Sequence, residues 1–178
     1  MVTKSSIFLF FFKMINLTHY SSPIGEILLA SKNNKLIGVW FEGQKYFSLD
    51  MGRTVEKEDE ILLKSQDWLD RYFNGEKPSI DELDLAPNGT DFRCEVWDIL
   101  QEIPYGKTIT YKEIAQKIVQ KRGTKKMSPQ AVGGAVAHNP LSIIIPCHRV
   151  VGSDGSLTGY AGGLDRKIFL LKHENPEF

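Results

Sequence analysis

Ile143-Ile144-Ile145-Pro146-Cys147-His148-Arg149-Val150-Val151 is the stretch around which this chain is organised. Three β-branched residues in a row read as a buried strand. Proline ends the strand, because it has no backbone N–H and holds its neighbour extended. A thiol and an imidazole follow at once, at the mouth of whatever the strand enters. The thiolate is the reactive form of cysteine, and it needs a nearby positive group or proton acceptor. A bare Cys-His pair is a weak signal, since most cysteines are small buried hydrophobes. The residues around the pair must carry the argument.

Downstream, Gly152-Ser153-Asp154-Gly155 is a turn. Leu157-Thr158-Gly159-Tyr160-Ala161-Gly162-Gly163 is a loop with three glycines and one aromatic, able to line a small flat pocket. Asp165 to His173 is a closing helix, and Glu174 follows it. Upstream, Ser128 is a good N-cap and Pro129 suits the first helical position. The helix they open, Gln130-Ala131-Val132-Gly133-Gly134-Ala135-Val136-Ala137-His138, carries two adjacent glycines. Those cost on the order of 2 kcal/mol against alanine in a helix interior. Close approach to another surface explains that cost, and tight packing against a neighbouring helix explains it equally well. Asn139-Pro140 ends the helix. Further upstream, Thr110-Tyr111-Lys112-Glu113 is a capping box opening a helix over Tyr111–Val119. Helix, basic connection and small-faced second helix together read as a helix-turn-helix. Side chains that short suit a narrow minor groove or phosphate walls.

The amino-terminal half has a different texture. From Ile15 to about Phe47 the signals are β: an apolar run Ile24, Ile27, Leu28 and Leu29, a turn at Lys32-Asn33-Asn34-Lys35, and a returning strand Leu36–Phe41. Residues 58–73 change to a helical period through Ile61, Leu62, Trp68, Leu69, Tyr72 and Phe73, and Asn74-Gly75 ends it. Pro78, Pro87 and Asn88-Gly89 punctuate the stretch that follows, which is where the domain boundary falls. Phe92, Val96, Trp97, Ile99 and Leu100 resume helical spacing, with Cys94 as a core position or an ordinary thiol. The expected fold is α+β: a small amino-terminal α/β domain (residues 14–86), then a mostly helical, winged-helix-like domain (residues 87–178) holding Cys147. Ile7–Phe12 is apolar, but it is too short to span a membrane and lacks a small-residue cleavage site. Residues 1–13 read as an extension ahead of a domain that opens at Met14.

The 178 residues carry 22 Lys and Arg against 22 Asp and Glu. The balance is uneven: no acidic residue lies between Glu113 and Asp154, an interval holding Lys117, Lys121, Arg122, Lys125, Lys126 and Arg149. An acid-free run of this length points to an anionic partner. Two cysteines make no disulfide framework and fit a reducing, cytoplasmic compartment. The four histidines show no metal-ligand spacing.

Pro146-Cys147-His148-Arg149-Val150 resembles the active-site signature of the O6-alkylguanine-DNA alkyltransferases, and the likeness runs from about Thr90 to Glu174 with several motifs in order. Met14 to Leu85 resembles that family's variable amino-terminal domain more weakly. The resemblance implies a monomeric DNA repair protein that flips O6-methylguanine out of the duplex from the minor groove. Its methyl group would pass irreversibly to Cys147, once per molecule, with no metal or organic cofactor, no membrane and no obligate protein partner. O4-methylthymine is a second candidate substrate. His148 would act through a water as base, Glu174 would hold His148, and Tyr111 would donate a proton to the leaving guanine. Asn139 would be the hinge between recognition helix and active site. Gln130, Ala131, Gly134 and Val136 fall on the recognition helix, with Lys125 and Lys126 in the basic connection. Arg149, Val150, Tyr160, Ala161, Gly162 and Lys167 fall at binding or pocket positions. Two departures stand out. Gln130 occupies the place where an arginine usually fills the gap left by the flipped base, and Ala161 replaces a pocket serine. The family's non-catalytic relatives replace the cysteine, which Cys147 argues against, although Gln130 keeps a lesion-binding module as the alternative. A cysteine hydrolase would leave the basic run and helix-turn-helix without a purpose.

Overall fold

In the computed structural model, residues 14–47 and 52–178 are described. The extension proposed for residues 1–13, with its apolar run, lies outside them. The architecture is α+β. Strands β1 (Ile15–Ser22), β2 (Gly25–Lys32), β3 (Lys35–Phe41) and β4 (Thr54–Glu56) form a sheet ordered β3-β2-β1-β4. The β1–β2 and β2–β3 pairs are antiparallel, and β4 adds parallel to β1. Lys32 pairs with Lys35, so the second hairpin turns on Asn33-Asn34 alone, both at positive φ (54° and 56°). That is the left-handed geometry a two-residue hairpin needs and asparagine tolerates.

Helix α1 (Glu60–Phe73) lies on this sheet. Asp59 caps it by accepting from Leu62 N–H, and its other oxygen takes Asn16 and Ser31, which fixes the helix start to β1 and β2. Ile61, Leu62, Trp68, Leu69 and Tyr72 are buried. Fully burying one such side chain stabilises by about 1.5–3 kcal/mol.

Helices α2 (Asp91–Gln101), α3 (Tyr111–Arg122), α4 (Pro129–Ala137) and α5 (Leu164–Glu174) make up the rest, with two-residue parallel strands β5 (Ile109–Thr110) and β6 (Val150–Val151). The Thr110–Glu113 capping box forms, and α3 runs three residues beyond Val119 to a left-handed Gly123. Helix α5 includes Glu174 as its last residue.

One expectation is overturned. Ile143–Ile145 are buried but are not a strand. They form a tight turn in which Ile144 N–H donates to Ser142 O and Ile145 N–H to Leu141 O, with Ile143 at φ 72°. A β-branched residue there is strained by about 1–3 kcal/mol and persists only where its surroundings hold it. Burial, which a β-branched run signals, does not require a ladder.

The two halves share one apolar core, in which Ile27, Leu29, Val39 and Leu69 are continuous with Trp97, Ile114, Val132 and Ile145. Strand β3 is the sheet edge, yet it is covered. Val39 N–H donates to Pro140 O (2.8 Å) and Ser142 N–H to Val39 O (3.0 Å), while Leu36 exchanges bonds with Asp84 and Ala86. The segment that leads to Cys147 is thus seated on the amino-terminal sheet. Among the described residues no helix is long and apolar enough to cross a membrane.

Candidate active site

Asn139 shapes the approach to Cys147. It is buried just beyond the cap of α4, and its Nδ2 donates to Ile145 O (2.8 Å) and Leu141 O (3.4 Å) while its Oδ1 accepts from Leu141 N–H (3.0 Å). These bonds close the Leu141–Ile145 turn. Pro146 then leads into a single 3₁₀ turn, Cys147–Arg149, which runs into β6. Pairing of β6 with β5 sets Thr110 beside Val151, and Tyr111 follows at the start of α3. A short parallel pair therefore draws the first residue of one helix towards the cysteine.

Cys147 opens onto a cavity of about 540 Å³. Tyr111, Val136, Tyr160, Ala161 and Gly162 also line it. Tyr111 donates its hydroxyl to Thr158 O (3.0 Å). Burial, and then the neighbouring Cys147, raise its pKa, so it stays protonated. Burial also holds the Tyr160 hydroxyl protonated. Its oxygen is buried without a formed hydrogen bond among the described residues, although the Ser142 hydroxyl lies close enough to favour ionisation. Gly162 must be small, because a Cβ there would meet Tyr160 at 2.8 Å and Phe41 at 2.9 Å. Neither glycine of α4 is demanded by internal packing. A Cβ on Gly133 would make ordinary contact with the Tyr111 ring, and one on Gly134 would meet open space.

Behind the cysteine lies a charged network. Glu174 is 8% exposed. Its Oε1 accepts from Tyr72 Oη (2.8 Å), His148 Nε2 (2.6 Å) and Arg149 Nη2 (3.0 Å), and its Oε2 from Arg149 Nε (2.8 Å) and Gly106 N–H (3.1 Å). Burial alone would raise this carboxyl, but His148 and Arg149 together hold it well below the usual carboxylate range. A carboxylate only accepts, so His148 Nε2 carries the proton and Nδ1 is left with a lone pair. Burial disfavours the imidazolium and outweighs Glu174, which keeps the ring neutral. His148 Nδ1 is buried with no hydrogen-bond partner among the described residues.

The thiol is raised by burial, and the Asn139 amide and the Lys167 charge pull the other way. Lys167 is itself fully buried, donating Nζ to Val150 O (2.6 Å) and Gly159 O (3.3 Å). Desolvation lowers it to about 8, and the nearby thiolate opposes that shift. The site thus favours a neutral thiol at rest beside a cation that gains from its ionisation.

Not every expected residue faces the cavity. Arg149 turns inward to Glu174 and to Ile103 O (2.6 Å), and Val150 lies buried in β6 with its carbonyl on Lys167. Asn139, His148, Glu174 and Lys167 support the cavity from behind. Lys125, Lys126, Gln130, Ala131 and Gly134 are exposed on the α3–α4 face, where Lys112, Lys125 and Lys126 border an open groove. Gln130 accepts from the Ser128 hydroxyl (2.9 Å). Lys45 and Tyr46 on the cavity rim, and Tyr72 and Gly106 on Glu174, carry no local sequence signal, because their places depend on packing between distant segments. Among the described residues no group of His, Cys, Asp and Glu is arranged to hold a metal ion.

The chain matches the family described as 6-O-methylguanine DNA methyltransferase in two parts: its ribonuclease-like domain over residues 15–87 and its DNA binding domain over residues 91–176. A Methanosarcina acetivorans protein named methylated-DNA–protein-cysteine methyltransferase is 47% identical over 156 residues, spanning 87% of this chain and 95% of that one. A Haemophilus influenzae protein of the same name is 41% identical over 159 residues, spanning 88% and 84%. The structure of Mycobacterium tuberculosis OGT in complex with DNA superposes with a TM-score of 0.76 at 37% identity, covering 92% of this chain and 93% of that one.

Proposed function

Because the chain belongs to the 6-O-methylguanine DNA methyltransferase family, we propose that it repairs duplex DNA by taking the methyl group of O6-methylguanine irreversibly onto Cys147. The observation that carries this reading is the thiol at the wall of an open cavity large enough to admit a nucleobase, backed by a neutral His148 with a free Nδ1 lone pair and a carboxylate behind it. An O6-alkyl carbon lies inside the stacked duplex, so the nucleotide must be rotated out to reach the sulfur. The exposed, small-faced α4 and the basic α3–α4 connection suit docking along the minor groove.

The transfer balances simply. His148 takes the thiol proton through a bridging water. The sulfur then forms a bond to the methyl carbon as the carbon–O6 bond breaks, and the electron pair leaves with guanine. Tyr111 donates its proton to the leaving base, and the proton first taken from the thiol restores the phenol by way of solvent. Lys167 lies close enough to Cys147 to favour the thiolate. The product thioether has no route back to thiol, so each molecule acts once. Residues 14–86 would form the amino-terminal domain and residues 87–178 the DNA-binding and transfer domain of a monomeric, cytoplasmic protein. O4-methylthymine fits the same chemistry.

The test is stoichiometry. With excess O6-methylguanine duplex, repaired guanine should plateau at one per protein molecule, and Cys147→Ser should bind the duplex without producing any. Guanine accumulating beyond that plateau would overturn single use. Tight binding with no product from the unmodified protein would favour a lesion-binding module.

A further inference from the structure

The amino-terminal half supplies part of the cavity wall. Lys45 and Tyr46, in the loop after β3, line the same cavity as Cys147 and Tyr111. This loop is fastened to the glycine-rich loop after β6. Lys45 N–H donates to Ala161 O (3.0 Å), and Arg166 bridges Gly162 O (3.0 Å) and Glu42 O (3.4 Å) while lying over the Phe41 ring. Gln44 is buried in the same corner, accepting from Phe41 N–H and the Ser142 hydroxyl.

Tyr46 is held in an uncommon conformation. Its φ is 59°, a left-handed value that an aromatic residue rarely adopts. Its ring lies tilted over His138, at 4.1 Å between centroids and 31° between planes, and His138 is pinned by its own Nδ1–H to Gly134 O. Such backbone strain persists only where surrounding contacts over-determine it. Here those contacts hold a ring at the cavity edge that is otherwise half in solvent (56% exposed).

We infer that Tyr46, seated on His138, is a specificity-determining wall of the alkyl-acceptor cavity, and that it limits the size of the O6 substituent that can reach Cys147. The inference rests on the alkyl-transfer reading above and adds a residue from the amino-terminal half to it. A ring seated on His138, on a backbone whose neighbour Lys45 is bonded to Ala161 O, moves aside less readily than a flexible chain, so it excludes by shape. Truncating the ring enlarges the cavity on that side and benefits a long substituent more than a methyl group, which does not reach the rim.

The experiment compares single-turnover transfer rates from duplexes of one sequence carrying O6-methylguanine or O6-butylguanine. Wild type, Tyr46→Ala and Tyr46→Phe are measured side by side. Tyr46→Ala should raise the butyl-to-methyl rate ratio at least about tenfold, the lower end of what a small steric difference contributes in a pocket. Tyr46→Phe keeps the ring and should keep the wild-type ratio. A ratio unchanged in Tyr46→Ala overturns the inference, whether or not both rates fall together. Failure of the wild type to transfer methyl at all would instead sink the alkyl-transfer reading, so the two failures are told apart before any variant is made.

Discussion

Replacing Asn139 with alanine tests how the cysteine is presented. The side chain is 2% exposed and makes three hydrogen bonds to the turn ahead of Cys147. Leu141 O and Ile145 O keep second donors after the change, from Ile145 N–H and Cys147 N–H. Only Leu141 N–H is orphaned, at about 1–3 kcal/mol, and loss of the 2.8 Å bond to Ile145 O adds about 1 kcal/mol. The expected destabilisation is about 2–4 kcal/mol, which lowers a urea midpoint by about 1–2 M for a slope near 2 kcal/mol/M. Two further effects follow. The strained Ile143 turn loses its clasp, so transfer by the folded protein should slow. The Asn139 amide also lowers the Cys147 thiol, so the thiol moves up without it and the rise of transfer rate with pH shifts to higher pH. Urea unfolding followed by tryptophan fluorescence, together with single-turnover rates across pH, measures both. An unchanged midpoint with an unchanged pH profile would refute the clasp.

Tyr72→Phe removes one donor to a buried carboxylate and should destabilise by about 1.5–3 kcal/mol, read by the same unfolding assay; no change would mean that Glu174 is satisfied without it. Lys167 has a folded-state pKa depressed to about 8, so the unfolded chain binds more protons between that value and an ordinary lysine pKa of about 10.4. Stability of the wild type relative to Lys167→Met should therefore rise with pH across that window, as unfolding midpoints at several pH values would show; a flat difference would mean the lysine is not desolvated. Gln130→Arg should tighten binding to O6-methylguanine duplex in an anisotropy titration and steepen the fall of affinity with salt, by up to about one unit of logarithmic slope if the new cation reaches a phosphate. Unchanged affinity would show that another residue fills the gap left by the flipped base.

Local chemistry made much of this molecule legible. Asn33-Asn34 announces a tight hairpin, Thr110 with Glu113 a capped helix, and Ser128-Pro129 the start of α4, because in each case the deciding interaction lies within a few residues. The Ile143–Ile145 run misled because periodicity reports burial, whereas the backbone path there is set by Asn139 and by the edge of β3. Strand β4 is three exposed residues with no alternation to detect, and it exists because β1 offers it a free edge. The thiol, the imidazole and the carboxylate could be named from the resemblance. Tyr46 and Tyr72 could not, because each meets the site across more than 90 residues of chain, through Ala161, His138 and Glu174.

The central claim is most directly tested by intact mass. Protein mixed with a short duplex carrying a single O6-methylguanine should become heavier by one CH₂ unit, with the added mass on the peptide containing Cys147 and the guanine left unmodified. An unchanged protein mass, or methylation of Cys94 in place of Cys147, would contradict the account.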